Sequence, residues 1–568
     1  MATSLRHMTR EFARSRVICF ALVSLFVSPA FAPLHGKAQS TASSAPASSF
    51  APAETEAANA VSLTTIREIT AGLVSKEMEG RGTGQPGADR AANYIADRFA
   101  KLGLKPLGDS GGYLQSIKFK VEQVMPDSAF KTNDATFTYK KDFVLVPPLP
   151  AAAVSVNSDL VFAGYGVSST ELKRDDLNGL ELKGKIVVLL GGRPKNVDQT
   201  AWQKIATTQS IIAKLAGAGA AGFALIYSPV LETQPYDLIT NYLTRRRVAL
   251  ADAPAFPFKA PPMVLVNDAT AERLFKDSGA SFAELKAKAE AGEFVSRPLG
   301  KQASISVRLK REEVTSSNVV ALLEGSDATL KEEAVVYSAH YDAYGIDSDG
   351  TVYPGAADNA IGIAKLAAIA EALVKAKAKP RRSIIFLAVT GEEYGLLGTE
   401  HWLKHPTWPI EKVAADINYD GIGTDVWGPP GLVIDYGFKH SDLGDLILEV
   451  LKAQKLMLVP DPAPQEGIFY RSDHYAFFKK GVPSLYLIGG PANNVMGLMA
   501  KATKFLVTDY HMTTDTVQPD WNWDGARSLA VTGLVAGMRI ANGDAMPAWV
   551  ASSPYNRPRG TNLPPPPR

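Results

Sequence analysis

The chain reads as an α/β protein, a sandwich of helices on a largely parallel sheet with a β-rich insertion. Three observations predict this. From Ser316 onward, apolar strand-type runs alternate regularly with helical ones, as βαβ units require. Between Val154 and Arg297 the pattern changes to short β-type runs around Ala- and Gly-rich turns. And 568 residues exceed what one compact core usually holds, so two or three domains are expected.

Taken in order, residues 1–39 read as an export signal. Arg6, Arg10, Arg14 and Arg16 precede the apolar run "VICFALVSLFVSPAFA", as a charged segment precedes the core of a signal peptide. Cleavage after Ala32 is disfavoured by Pro33, and cleavage after Ala38 stays open; an uncleaved anchoring helix is the alternative. The only cysteine, Cys19, lies in that run, so the mature chain needs no oxidative folding and has no thiol chemistry. Residues 40–61, small, polar and Pro-containing, read as a flexible linker.

Residues 62–153 open the main domain. In "DRAANYIADRFAKLGL", Ala92, Ile95, Phe99 and Leu102 fall on one helical face. Residues 154–300 form the insertion, with "DLVFAGYGV", "GKIVVLLGG", "AGFALIYS" and "PPMVLV" as strands. Residues 301–545 continue the main domain. Strands are expected at "NVVALLEG", "AVVYSAHYDA", "SIIFLAVT", "VAADINYDGIG", "LVIDYG" and "PSLYLIGG". Helices are expected over Asn359–Lys377, around Leu396–Lys404, at "SDLGDLILEVLKAQ" and over Gly525–Ala541. Residues 546–568 are a Pro-rich tail unable to form a core.

Composition narrows the function. The chain is 46% hydrophobic and 21% charged, and its 60 basic residues nearly balance 58 acidic ones. That balance carries no footprint for nucleic acid. After the N-terminal run no apolar stretch reaches membrane-spanning length.

Open α/β sheets gather ligands at the carboxyl ends of their strands. The residues closing the apolar runs are His340, the pair Glu392–Glu393 and Asp420; Asp358 opens the helix after His340, and His511 follows "PSLYLIGG". Singly each has a bland reading, Asp358 as a helix cap for instance. Together they place two of the six histidines left after the signal beside three carboxylates at one sheet mouth. Buried without a cation, such a set would carry an uncompensated desolvation cost. Imidazole and carboxylate without thiolate suit zinc or a similar cation. The number exceeds one catalytic zinc and fits two metals bridged by a shared carboxylate, about 3.5–4 Å apart. Adjacent glutamates then divide the labour: Glu393 ligates, and Glu392, its pKa raised, takes the proton from a metal-activated water that attacks a carbonyl.

The ordered series "SAHYDAYG", "GAADNAIG", "GEEYGLLGTE", "NYDGIG", "YRSDHYAFFKKGVPSLYL" and "YHMTTDT" resembles the motifs of the co-catalytic di-zinc metallopeptidases. That family comprises secreted bacterial aminopeptidases related to glutamate carboxypeptidase, glutaminyl cyclases and the transferrin-receptor ectodomain. The likeness covers about 62–154 and 316–541, and "DLVFAGYGV", "LKGKIVVLLGG" and "AGAGAAGFALIYS" resemble the protease-associated domain inserted in some members.

The resemblance implies a three-layer α/β/α zinc-exopeptidase sandwich, phosphorylase/hydrolase-like, with that domain inserted. It implies two zinc ions per chain, one on His340, Asp420 and bridging Asp358, the other on Asp358, Glu393 and His511. By the same resemblance Asp342 supports His340, Asp515 orients the His511 loop, Tyr510 bonds the tetrahedral oxyanion, and Arg471 takes a substrate-side place or lies on a surface helix. Asp473 and His474 shape the pocket without binding metal. Arg245–Arg247 read as a solvated charge run.

The expected function is that of an exported, periplasmic or secreted aminopeptidase acting on peptides, its oligomeric state open. A carboxypeptidase or dipeptidase of the same superfamily, a one-zinc glutaminyl cyclase and a non-catalytic binding protein are the alternatives.

Overall fold

The computed structural model describes residues 49–147, 153–228, 236–253, 261–421, 423–491 and 495–563. The signal segment 1–39 lies outside them. Among the described residues no helix is long and apolar enough to cross a membrane.

Two separate sheets divide the chain. The larger runs in the order Arg247–Leu250, Leu114–Val124, Leu309–Leu323, Ser383–Val389, Ala334–His340, Val413–Asn418, Ser484–Pro491, Pro430–Asp435 and Met457–Val459. Only its centre is parallel: Ala334–His340 pairs in parallel with Ser383–Val389 and with Val413–Asn418, and the latter with Ser484–Pro491. The flanks are mostly antiparallel, because the long strands Leu114–Val124 and Leu309–Leu323 pair as a ribbon on one side. The sheet is therefore mixed.

The central strands are buried along their whole length, which is why they read as continuous apolar runs without alternation. Helices cover both faces. Ile361–Lys375 is apolar nearly all round and is buried from Ile361 to Ala370, packed between Leu63–Leu73 and Asp524–Asn542. Pro86–Lys101 buries Ala88, Ala91, Ala92, Ile95 and Phe99, spacings that trace one helical face. Of the expected stripe only Leu102, at the helix end, stays half-buried. On the opposite face Trp402 and Phe477, from Leu397–Lys404 and His474–Lys479, pack on Ile385, Leu387 and Val389.

The second sheet runs Thr136–Phe137, Ala129–Thr132, Arg297–Val307, Val154–Phe162, Ile186–Leu190, Gly222–Ile226, Met263–Val266 and Phe143–Leu145 around its own core. It draws strands from before residue 154, so the insertion begins near 125 and ends near 308 rather than at 154 and 300. Phe130, Phe137 and Phe143, too widely spaced to mark a strand from sequence, carry the contact.

Both ends of the main domain are also better ordered than their composition suggests. Pro52–Ala60, inside the expected linker, is a helix that buries Ala57 and Ala58 and is held by the Glu54–Arg539 ion pair. The Pro-rich tail is pinned by Arg559, which donates to the carbonyls of Val413, Ala414 and Pro547, and by buried Tyr555.

Candidate metal centre

The central strands aim their carboxyl ends at one spot. His340 closes Ala334–His340, and Asp420 stands just past Val413–Asn418. After Ser383–Val389 the chain turns at Gly391, φ +73°, a left-handed conformation that a side chain would strain, and sets Glu392 and Glu393 inward. Asp358 lies in the turn Ala356–Ala360 that leads into Ile361–Lys375. Its bland role as a helix cap belongs to its neighbour: Asn359 Oδ1 accepts the Gly362 N–H at 3.0 Å, leaving Asp358 to face the site. His511 arrives after an intervening helix, Val495–Thr508.

His340 Nε2 lies 3.2 Å from Asp358 Oδ1 and 3.3 Å from Asp420 Oδ1. His511 Nε2 lies 3.1 Å from Asp358 Oδ2 and 3.0 Å from Glu393 Oε2. Asp358 thus divides its two oxygens between two histidines. Two ligand groups result, His340–Asp358–Asp420 and Asp358–Glu393–His511, the ligand atoms within each lying inside 4.8 Å of one another.

These residues fit a pair of cations. Glu393 Oε1 is buried without a hydrogen-bond partner among the described residues, a cost that a bound cation would relieve. Nitrogen and oxygen donors without thiolate match zinc.

The electrostatics agree. Burial opposes charge on His340, yet Glu392 and Asp420 raise its pKa well above the ordinary histidine value. Burial, reinforced by Asp420, Asp473 and Glu393, pushes Glu392 well above the carboxylate range. Burial also raises Glu393, with Asp358 adding to it and His511 opposing. Asp358 is buried too, but the hydrogen bonds of His340 and His511 on either side hold it low. Two adjacent glutamates therefore differ in what they face: Glu393 the His511 ring, Glu392 the His340 ring, 3.8 Å from its Nε2.

Around this set, Asp342 stands under His340. Its carbonyl is 3.2 Å from Nδ1, and its carboxylate accepts from Glu392 N–H and Thr83 Oγ1. Asp515 sits in the loop that carries His511, and its carboxylate accepts the N–H groups of Ala357 and Asp358, so it ties that loop to the Asp358 turn. Tyr510 stacks on His511, ring centroids 3.6 Å apart. Arg471 is exposed after the short turn Ile468–Tyr470, not on a surface helix, and its charge faces Tyr510 and Glu392. Asp473 and His474 are buried outside both ligand groups. Asp473 accepts from Thr399 Oγ1 at 2.7 Å, and His474 stacks on Tyr486.

Sequence reasoning missed three contributors. Arg245 and Arg246, expected as a solvated run, are buried against the site: Arg245 donates to the His511 carbonyl and Arg246 to the Thr83 carbonyl. The pairing of Arg247–Leu250 with the main sheet delivers them there, a long-range contact that sequence does not show. Arg81, fully buried, donates to the carbonyls of Leu73, Tyr341, Pro354 and Gly355, clamping the segments around His340 and Asp358. The signal was a lone arginine among glycines, which is ambiguous.

The sequence pattern of Peptidase family M28 matches residues 318–534. A vacuolar membrane protease of Clavispora lusitaniae is 37% identical over 112 residues, 19% of this chain and 10% of that protein. The probable leucine aminopeptidase 2 of Aspergillus oryzae is 29% identical over 213 residues, 36% of this chain and 39% of that protein. The chain thus spans about a tenth of the length of the vacuolar proteases it matches. Among solved structures, an aminopeptidase from Aneurinibacillus sp. strain AM-1 superposes with a TM-score of 0.55 at 17% identity, covering 87% of this chain and 97% of that one. That likeness shows a shared fold.

Proposed function

We propose that this chain, whose residues 318–534 match the family M28 pattern, is an exported zinc aminopeptidase that removes N-terminal residues from peptides. One observation carries the reading: Asp358 offers one oxygen to His340 and the other to His511, the arrangement that two cations sharing a carboxylate require. The relatives named aminopeptidases support the substrate class.

His340, Asp420 and Asp358 would hold one zinc, and Asp358, Glu393 and His511 the other. Zinc bound there supplies Lewis acidity and lowers the pKa of a coordinated water. Glu392 takes a proton from the attacking water at a carboxylate oxygen, which its raised affinity for protons favours, and returns it to the leaving amine nitrogen. Tyr510, its phenol kept protonated by burial, donates to the oxygen that becomes negative at the scissile carbonyl. Asp342 holds His340, and Asp515 the Asp358 turn.

The carboxypeptidase reading needs arginines free to meet a terminal carboxylate. Arg245 and Arg246 are turned to backbone carbonyls, which leaves only Arg471 of the three for that role.

Metal analysis of purified protein, paired with hydrolysis of leucyl and N-acetyl-leucyl anilides, tests the proposal. About two zinc per chain and chelator-sensitive cleavage of the free-amine substrate alone are expected. Cleavage only of peptides with a free C-terminus would overturn it in favour of a carboxypeptidase. One zinc with ammonia release from N-terminal glutamine would favour a cyclase.

A further inference from the structure

The two imidazoles of the centre are held from behind by different parts of the molecule. A histidine that presents Nε2 to a cation must carry its proton on Nδ1 and needs an acceptor there. For His340 that acceptor comes from its own strand end, the Asp342 carbonyl at 3.2 Å. For His511 it is the Tyr344 hydroxyl, 3.3 Å from Nδ1. The same hydroxyl lies 3.5 Å from the Glu393 carbonyl, so as a donor it also reaches the neighbouring ligand's backbone. Tyr344 thus touches two of the three groups in the Asp358–Glu393–His511 pocket and none in the other.

What holds Tyr344 comes from the inserted domain. The Arg245 guanidinium lies over the Tyr344 ring, 3.7 Å from its centroid, and donates through Nη2 to the His511 carbonyl. Arg245 Nε and Nη1 are buried with no hydrogen-bond partner among the described residues. A cation kept there without full pairing is costly unless the ring and the carbonyl need it. His511 itself has φ +61°, a strained conformation for a residue with a side chain, which the carbonyl contact helps to hold. Helix Tyr236–Leu243 precedes Arg245 in the chain, Asn241 on it reaches Met512, and strand Arg247–Leu250 follows on the sheet edge.

We infer that Arg245 and Tyr344 are positioning residues through which the inserted domain supports one metal pocket selectively: Tyr344 fixes the His511 imidazole, and Arg245 fixes both. The inference rests on the two-metal reading above. Its geometry makes the Asp358–Glu393–His511 pocket depend on Arg245 and Tyr344, whereas the inserted domain reaches the His340 side only at a remove, through Arg246 on the Thr83 carbonyl and Thr83 on Asp342.

Zinc titration of the full chain by calorimetry against a competing chelator tests this, using the wild type, Tyr344→Phe, Arg245→Ala and Arg245→Lys. The wild type should take two zinc ions. Tyr344→Phe, which keeps the ring and removes only the hydroxyl, should weaken one of the two by roughly 10–100-fold and leave the other unchanged. Arg245→Ala should do the same, and Arg245→Lys should not restore the site, because an ammonium cannot lie flat on the ring while donating sideways. Two wild-type affinities in Tyr344→Phe, or equal weakening of both sites in all variants, would overturn the inference. A wild type binding fewer than two zinc ions would instead overturn the two-metal reading beneath it.

Discussion

Removing the Lys365 ammonium should destabilise the main domain far more than removing it together with its partner. Lys365 Nζ meets Asp425 Oδ2 at 2.9 Å, both side chains all but inaccessible, and Nζ lies 4.9 Å from the Tyr419 ring centroid. The pair ties the helix that follows Asp358 to the segment that follows Asp420, so it braces two ligands. At 2.9 Å and an effective dielectric of about 20, the attraction is about 6 kcal/mol before desolvation is charged against it. Lys365→Met leaves the Asp425 carboxyl buried without its ion-pair partner, and its Oδ1 already lacks one among the described residues. Breaking one side of such a pair costs about 3–5 kcal/mol. In Lys365→Met/Asp425→Leu neither charge remains, and most of that loss should return. Urea unfolding followed by tryptophan fluorescence measures it: with a slope of about 3 kcal/mol/M, the single variant's midpoint should fall by roughly 1–1.7 M. A single variant within about 0.3 M of wild type would refute the argument, and so would costs that simply add in the double variant.

Four further outcomes follow from the same geometry. Glu392→Gln should retain both zinc ions and lose roughly 10²–10⁴-fold in kcat, and full activity in that variant would remove Glu392 from proton transfer. Gly355→Ala should weaken zinc binding: its φ is +60°, and a Cβ there would come within 2.5 Å of the Asp358 carbonyl, so metal content after dialysis is the readout. The left-handed conformation alone adds about 1–2 kcal/mol. Burial lifts Asp435 to about 7 in the folded chain, above its unfolded value. The folded state therefore binds the extra proton between those two values, and stability should fall as pH rises through that window. In Asp435→Asn this part of the pH slope should vanish; an unchanged slope in urea midpoints from pH 4 to 7 would contradict it. Chelation should abolish peptide hydrolysis while far-UV dichroism holds, since the core lies in the helices and sheet rather than at the metals.

The ligand-type residues were legible because the physics that places them is local. A buried parallel strand is a mostly apolar run, and the first ionisable residue that closes it marks the carboxyl end of the sheet, as at His340 and at Glu392 after Val389. The spacing of Ala92, Ile95 and Phe99 fixed a helix face in the same way. The sequence alone determined the α/β alternation, the candidate ligands and the contrast between two adjacent glutamates.

Only the tertiary structure decided the rest, because it depends on contacts between residues far apart in the chain. Ala129–Thr132 and Phe143–Leu145 join the second sheet through partners more than a hundred residues away. Asp515 reaches back to the backbone at Ala357 and Asp358. And "TRRRVA", a plausible solvated run by composition, became buried machinery once Arg247–Leu250 paired with Leu114–Val124 and carried Arg245 to the His511 loop. Local propensity sets what a segment can form; which charge ends up buried beside which ligand is set by the packing that brings segments together.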